Sequence, residues 1–254
     1  SSSDRPEVLR WIVISSINSI MCIPCLYGYA SVIFIHPAFA AHINALSKLV
    51  LFSSIVHQLC FSLFSTLPFA VGQVQDAGLI FLSGMARIIA EKILERGGTE
   101  DEIVSTAIVL LGLATAALGV VLVVMGKFRL ADAVSYLPMP VVGGYLAFIG
   151  YFCMEAGIAL SISEPMVGFE GWLYLFNSHA FLLALPGIIM ALMLVWVQRN
   201  VTSDAAIPIM MAVIPALFYA IIYACEDGID GARENGWIGP ESPPIPATDV
   251  FSLV

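Results

Sequence analysis

Charge is what this sequence has least of. Only 11% of its 254 residues are Asp, Glu, Lys or Arg, against about 25% in an ordinary soluble domain. That scarcity excludes a chain whose whole surface faces water. Basic residues are the scarcer sign, 10 against 19 acidic ones. They form no stripe, which excludes a nucleic-acid partner. Cysteine is thin and scattered: Cys22, Cys25, Cys60, Cys153 and Cys225 stand in apolar segments, as small buried hydrophobes do. Cys22 and Cys25 form a CxxC, but it lies inside an apolar helix with no βαβ pattern around it, which excludes a thioredoxin-like site. The histidines lack metal-ligand spacing. His36 and His42 sit near a helix end, and His57 stands alone on an apolar helix, where packing is expected to satisfy it. There is no nucleophile with a nearby base, no metal cluster and no glycine-rich phosphate loop. The expectation is a protein that is not an enzyme and takes no metal and no cofactor.

What the sequence has instead is apolar length. Hydrophobic residues make up 59% of the chain and the mean hydropathy is +0.94. Several runs approach or exceed the ~20 residues a helix needs to cross a bilayer. The fold class is therefore an all-α, multi-pass integral membrane protein with the lipid bilayer as its solvent. About seven spans are expected, at 8–34, 43–67, 69–93, 103–125, 130–161, 181–197 and 207–225. The first is expected to be interrupted at Pro24. The third follows the second with almost no loop, and its start is broken by Pro68 and Gly72. The fifth carries Pro138 and Pro140 near its beginning. The stretch EKILERGGTEDE is charged and contains Gly97-Gly98, so it reads as a water-exposed connection. The tail from Glu226 is acidic, rich in Pro and Gly, and reads as a loop. The chain opens on Ser-Ser-Ser-Asp-Arg-Pro without a short signal peptide, and a longer parent protein is expected.

Charge placement gives an orientation. Arg5, Arg10, Lys127, Arg129 and Arg199 fall on one side, whereas Glu100, Asp101, Glu102, Glu164, Glu170, Glu226, Asp227 and Asp230 fall on the other. Lys48, Arg87, Lys92, Arg96 and Arg233 share that second side, so a count of basic residues alone gives only moderate support for a cytoplasmic N-terminus. The acceptor sequence Asn200-Val201-Thr202 would then be cytoplasmic and is expected to be unmodified. An odd number of spans with Pro/Gly breaks is the pattern of one half of an inverted-repeat transporter. Such folds hold solute at the midplane, facing the positive ends of half-helices.

Three ordered stretches carry a resemblance. IPCLYGYA (Ile23 to Ala30) looks like an Ile-Pro-x4-Tyr-Ala signature. FAVGQVQDAGLIFLSG, from Phe69, occupies the place of a Val-Gly-Pro element that begins a broken third helix. LPMPVVGGY (Leu137 to Tyr145), approached by GKFRLADAVSY, is similar to Leu-Ser-Arg-Pro-Val-x-x-Gly-Phe. Across roughly residues 15–160 their order and spacing resemble the SulP family, the sulfate-permease and prestin-like anion transporters. The resemblance implies one repeat of a seven-plus-seven inverted-repeat fold with a broken third helix. A second repeat and a cytoplasmic STAS domain would lie outside this chain. It also implies secondary active transport of a small anion, sulfate-like by default, by alternating access.

Transferred residue by residue, the substrate site would combine Cys25, Tyr27 and Tyr29 of the first span (with Leu26 between them) and Gly72, Gln73, Val74 and Gln75 (after Ala70 and Val71) at the third-helix start. Free N–H groups at a helix start and amide side chains can ligate an anion. The structural alternatives are ordinary ones: packing aromatics at Tyr27 and Tyr29, interhelical hydrogen bonds at Gln73 and Gln75. Two departures matter. Gln73 stands where the resemblance expects a proline, and Cys25 where it expects a glutamine. Asp76 stands about one turn into the expected half-helix, where it would repel an anion. A carboxylate within a span is a functional candidate by default, and Asp76 and Glu155 are the proton-coupling candidates; either could instead be a locally paired structural group, with Arg87 a candidate partner for Asp76. A divergent, fungal-type branch of the family also carries an acidic residue here and lacks the proline, and at least one such branch is linked to vacuolar import of basic amino acids. The alternative is therefore a proton-coupled basic amino acid transporter of a vacuolar-type membrane. A third reading is a non-transporting membrane motor or scaffold module. The implied partners are a small inorganic anion or a basic amino acid, the missing C-terminal repeat of the same protein and a homodimer. The residence is the plasma membrane or a vacuolar-type membrane. Gly143 and Gly144 are expected to permit close helix approach, and Arg87, Glu91, Glu95 and Arg96 to form a solvated helix end.

Overall fold

The protein is described here by a computed structural model covering residues 4–66, 70–130, 132, 136–164, 166, 168–203, 205–224 and 228–239. Leu67, Pro68 and Phe69, part of the GKFRLADAVSY lead-in, Cys225, Glu226, Asp227 and the tail from residue 240 lie outside the described residues. Among the described residues there is no strand. The helices are α1 (Asp4–Ile33), a 3-10 turn (Pro37–His42), α2 (Ile43–Phe64), α3 (Asp76–Glu95), α4 (Glu100–Lys127), α5 (Met139–Ile162), α6 (Gly168–Tyr174), α7 (Ser178–Asn200), α8 (Ala206–Ala224) and α9 (Gly228–Glu234). Among the described residues six stretches are long and apolar enough to span a bilayer: Ile12–Ile33, Pro37–Phe64, Glu100–Lys127, Met139–Ile162, Ser178–Asn200 and Ala206–Ala224. In the most apolar of them, α4, only 6% of the best window is buried within the chain. An apolar helix bare on nearly every side needs lipid or further protein around it. The chain is a multi-pass integral membrane protein.

The chain falls into two compact units. Of the described residues, one unit takes in those from Tyr29 to Ala156, and the other those up to Gly28 together with those from Gly157 onward. The first holds a continuous core. Phe34 and Phe39 meet edge-on with ring centroids 5.2 Å apart, and Leu46, Leu79, Ile103 and Val104 close around them. α3 packs on α4 through Ala86, Ala90 and Ala107, all fully buried. Small residues at such a seam let two helix backbones approach closely. The turn between these helices is built by sequence. Gly97, at φ +74°, donates to Leu94 O, and Gly98 donates to Ile93 O at 3.0 Å. This is the paired C-terminal cap that a left-handed glycine permits. Thr99 then starts α4 with a capping box. The Glu102 amide donates to Thr99 Oγ1, and the Thr99 amide donates to Glu102 Oε2 at 3.2 Å. Glu100, Asp101 and Glu102 sit in the first turn, where the helix dipole favours negative charge. In the other unit α7 packs on α8 and α8 on α9.

Several boundaries differ from the sequence expectation. α1 is unbroken through Pro24, because neighbouring groups inside a membrane protein can absorb a single lost backbone bond. α7 and α8 likewise continue through Pro186 and Pro215. α5 begins at Met139 rather than near 130: the Val141 amide donates to Pro138 O at 2.9 Å, so the proline pair opens the helix, where its missing N–H groups cost nothing. Part of the tail expected as loop is the short helix α9. Among the described residues a Cβ at Gly143 or Gly144 would meet nothing within 4 Å, so no close helix approach is seen at these glycines there. His57 is satisfied by hydrogen bonding, its Nδ1 lying 2.8 Å from Ser53 O.

Candidate functional site

The largest correction falls where the chemistry was expected. The third helix starts at Asp76, not near Gly72, and residues 70–75 have no helical structure. The gap between α2 and α3 is thus a real one, Ser65 to Gln75, where almost no loop was expected. The physical reason is lateral. The backbone of residues 70–72 spends its polar groups on α2 instead of on its own next turn. The Gly72 amide donates to Gln58 Oε1 at 2.8 Å, Gln58 Nε2 donates to Ala70 O at 3.2 Å, and the Ser54 hydroxyl donates to Gly72 O. Gly72 is buried against the α2 backbone. A Cβ there would lie 2.5 Å from Gln58 N, 2.7 Å from His57 C and 2.9 Å from Gln58 Cα. Only glycine can approach that closely. An unwound segment beside a membrane helix needs partners for its polar groups, and here the side chains of α2 supply them.

α3 opens with Gln75 as its N-cap in extended backbone (φ −94°, ψ 146°), without a side-chain cap bond. Gln75 O accepts from the Gly78 amide at 2.8 Å and the Leu79 amide at 3.1 Å. The first helical residue is Asp76 rather than a residue one turn in. Its Oδ1 accepts a 2.6 Å hydrogen bond from the Tyr29 hydroxyl, and among the described residues its other oxygen has no partner. Tyr29, at the end of α1, is half-buried against the core that also holds Leu79 and Val74. The Cys153 thiol of α5 lies within range of the Asp76 charge. Asp76 itself is exposed within this chain, as are Gln73 and Gln75. The structure therefore joins Tyr29, Gly72, Val74 and Asp76 in one unit, with Gln73 and Gln75 on the open side of their segment.

Three expected site residues remain, Cys25, Tyr27 and Glu155. Cys25 and Tyr27 belong to α1 upstream of Gly28, in the other compact unit. Glu155, on α5, is half-buried between Phe152 and Ala156, which pack against the core. It makes no hydrogen bond or ion pair among the described residues. Arg87 pairs with Glu91 at 3.8 Å and Lys92 with Glu95 at 2.9 Å, so the far end of α3 is the solvated end expected, and Arg87 is not the partner of Asp76. From Asp76 to Arg87 the helix rises about 16 Å at ~1.5 Å per residue. That is roughly half of a ~30 Å hydrocarbon layer. Two residues were missed by sequence reading: Gln58 and Ser54. The polar residues Ser53, Ser54, His57 and Gln58, clustered at helical spacing in the middle of a long hydrophobic span, were the available signal.

No family model matches the chain, and no solved structure matches it. The chain is similar to the vacuolar basic amino acid transporter VSB1 of Saccharomyces cerevisiae, at 27% identity over 195 residues. That alignment takes in 74% of this chain but 18% of the relative, so the chain spans less than a fifth of the length of the protein it resembles.

Proposed function

We propose that the chain is the half-helix-bearing part of a secondary transporter that carries basic amino acids across a vacuolar-type membrane, with proton coupling at Asp76. The observation that carries this reading is the charge at the open start of α3. An anion carrier of the SulP type would offer free backbone amides there. Here the Gly72 amide is turned to Gln58, and the first helical residue brings a carboxylate whose second oxygen is open. The magnitude favours a cation. A unit charge held about 4 Å from an ionised carboxylate, at an effective dielectric near 20, interacts by about 4 kcal/mol. That energy is attractive for a guanidinium and repulsive, about twice over, for a divalent sulfate. A proton and a basic side chain compete for the same carboxylate oxygens, which is the elementary requirement for coupling them. The likeness to a vacuolar basic amino acid transporter supports the same reading.

The anion reading rests on the three ordered motifs between Ile23 and Tyr145, which support a SulP-like repeat without deciding the sign of the solute. One experiment separates the two. The full-length protein is reconstituted in proteoliposomes with an imposed pH gradient, and radiolabelled arginine and sulfate are offered in parallel to wild type and Asp76→Asn. Gradient-driven arginine uptake that is lost in Asp76→Asn is the expected result. Sulfate uptake with no arginine uptake would overturn the proposal and restore the anion carrier.

A further inference from the structure

A bare extended segment beside an α-helix poses a problem that secondary structure alone does not solve. In a sheet, the carbonyl of one residue and the amide two residues later point to the same side, and a single residue of a parallel neighbour bridges them. α2 is a helix, and its own amides and carbonyls are committed along its axis. The carboxamide of Gln58 stands in for that missing neighbour. Its Nε2 donates to Ala70 O at 3.2 Å, and its Oε1 accepts from Gly72 N at 2.8 Å. It bridges the two polar groups that flank Val71. Ser54, one turn earlier on the same face, takes the next carbonyl, that of Gly72.

The chemistry narrows the residue type. The two partners demand one donor and one acceptor on one planar group, which carboxamides provide whatever the pH and a carboxyl group only when protonated. A carboxylate is acceptor-only. It would satisfy the Gly72 amide and turn its second oxygen on the Ala70 carbonyl. Between this bridge and Asp76 lie only Gln73, Val74 and Gln75, and Val74 packs against the core that holds Tyr29. The segment is thus pinned at both ends, by α2 at Gly72 and by Tyr29 at Asp76. We propose that Gln58 is a positioning residue of the transport site: its carboxamide docks residues 70–72 on α2 as a surrogate parallel strand, and so fixes where the half-helix begins and where Asp76 meets the solute. Both polar atoms of Gln58 are engaged by this segment.

The inference rests on the transporter reading for its functional consequence, but its structural half can be read separately. A reporter cysteine replaces Val74 in the full-length protein on a cysteine-free background. Its reaction rate with a water-soluble thiol reagent is compared among wild type, Gln58→Leu, Gln58→Glu and Ser54→Ala. Undocking exposes position 74, so at least a tenfold faster reaction is expected in Gln58→Leu and Gln58→Glu, and about threefold in Ser54→Ala. In the cysteine-containing protein, arginine uptake is measured alongside. Mispositioning of Asp76 predicts a KM raised about tenfold with Vmax within threefold, whereas mere loss of folded protein lowers Vmax at constant KM. If Gln58→Leu fails to insert in the membrane, Gln58→Glu and Ser54→Ala carry the same comparison. Reaction rates within twofold of wild type in the variants that do insert would overturn the proposal, whatever the solute proves to be. Faster labelling without arginine transport would keep the docking role and remove the substrate assignment instead.

Discussion

The tightest constraint in the chain is the space at Gly72, and a single methyl group tests it. In Gly72→Ala the new Cβ would stand 2.5, 2.7 and 2.9 Å from three backbone atoms of His57 and Gln58. Ordinary contact begins near 3.4 Å, so the segment must retreat by nearly 1 Å, because helix backbone cannot yield as a side-chain tip can. A retreat of that size takes the Gly72 amide, now 2.8 Å from Gln58 Oε1, beyond hydrogen-bonding range. The Gln58–Ala70 and Ser54–Gly72 bonds go with it. Interhelical side-chain bonds in membranes average about 0.6 kcal/mol each, and overpacking adds about 1–3 kcal/mol. The docked segment should therefore lose roughly 3–5 kcal/mol relative to the undocked one. At ~1.4 kcal/mol per decade, that shifts the equilibrium by at least a hundredfold. Gly78→Ala is the matched control: Gly78 lies in α3, where a Cβ meets nothing within 4 Å, and alanine is the better helix former. Arginine uptake by proteoliposomes and thermal aggregation of detergent-purified protein are measured for both variants. Gly72→Ala should lose most uptake and melt several degrees lower, whereas Gly78→Ala should match or exceed wild type. Equal behaviour of the two variants would refute the claim that the backbones touch.

The other expectations are smaller and independent. Asp76→Asn should abolish gradient-driven arginine uptake. Tyr29→Phe removes the 2.6 Å bond to Asp76 and keeps the ring in the core, so it should raise the KM for arginine severalfold while leaving protein abundance unchanged; an unaltered KM would show that the bond has no part in placing Asp76. Thr99→Ala removes the side-chain half of the α4 capping box and should cost about 1 kcal/mol, read as a lower midpoint of thermal unfolding with transport kinetics intact. Arg87→Ala breaks an exposed ion pair at 3.8 Å and should change stability by less than about 0.5 kcal/mol, below the resolution of the same melt.

The helices were legible because the bilayer leaves the backbone few choices. Long apolar runs must satisfy their own amides, so the spans at 43–67, 103–125 and 207–225 fell close to α2, α4 and α8. The turn at Gly97-Gly98 was readable because a left-handed cap needs glycine. Proline misled in both directions. Pro24 was expected to break α1 and does not, while α5 was expected to begin near 130 and instead opens at the Pro138 and Pro140 pair. The effect of a proline depends on whether the surroundings absorb one missing bond, and that is tertiary information. At the candidate site, glycine 72 and Asp76 were legible as anomalies in an apolar context. The helix start was not, because it is set by Gln58 and Ser54, which lie 14 and 18 residues earlier in the chain. No local pattern around Gly72 reveals a partner that far upstream.

The same misjudged helix start bears on the sign of the solute. The resemblance to anion carriers expects a proline after the glycine, and a proline restrains φ and so favours a helix beginning at once. Here that position is Gln73, nothing covalent restrains the chain, and the helix waits until Asp76. Four residues of helix would be about 6 Å of axis, comparable to the length of a small solute. On the proposed reading, the delay withdraws the amides of residues 72–75 from the mouth of the half-helix and brings a carboxylate to it. The restraint lost with the proline is supplied by hydrogen bonds from α2. The helix dipole still directs its positive end at the site, and the Asp76 carboxylate stands at that end. On that reading, one changed residue type and one acidic side chain would convert an anion-binding helix start into one that prefers a cation, by moving the start of the helix along the chain to Asp76.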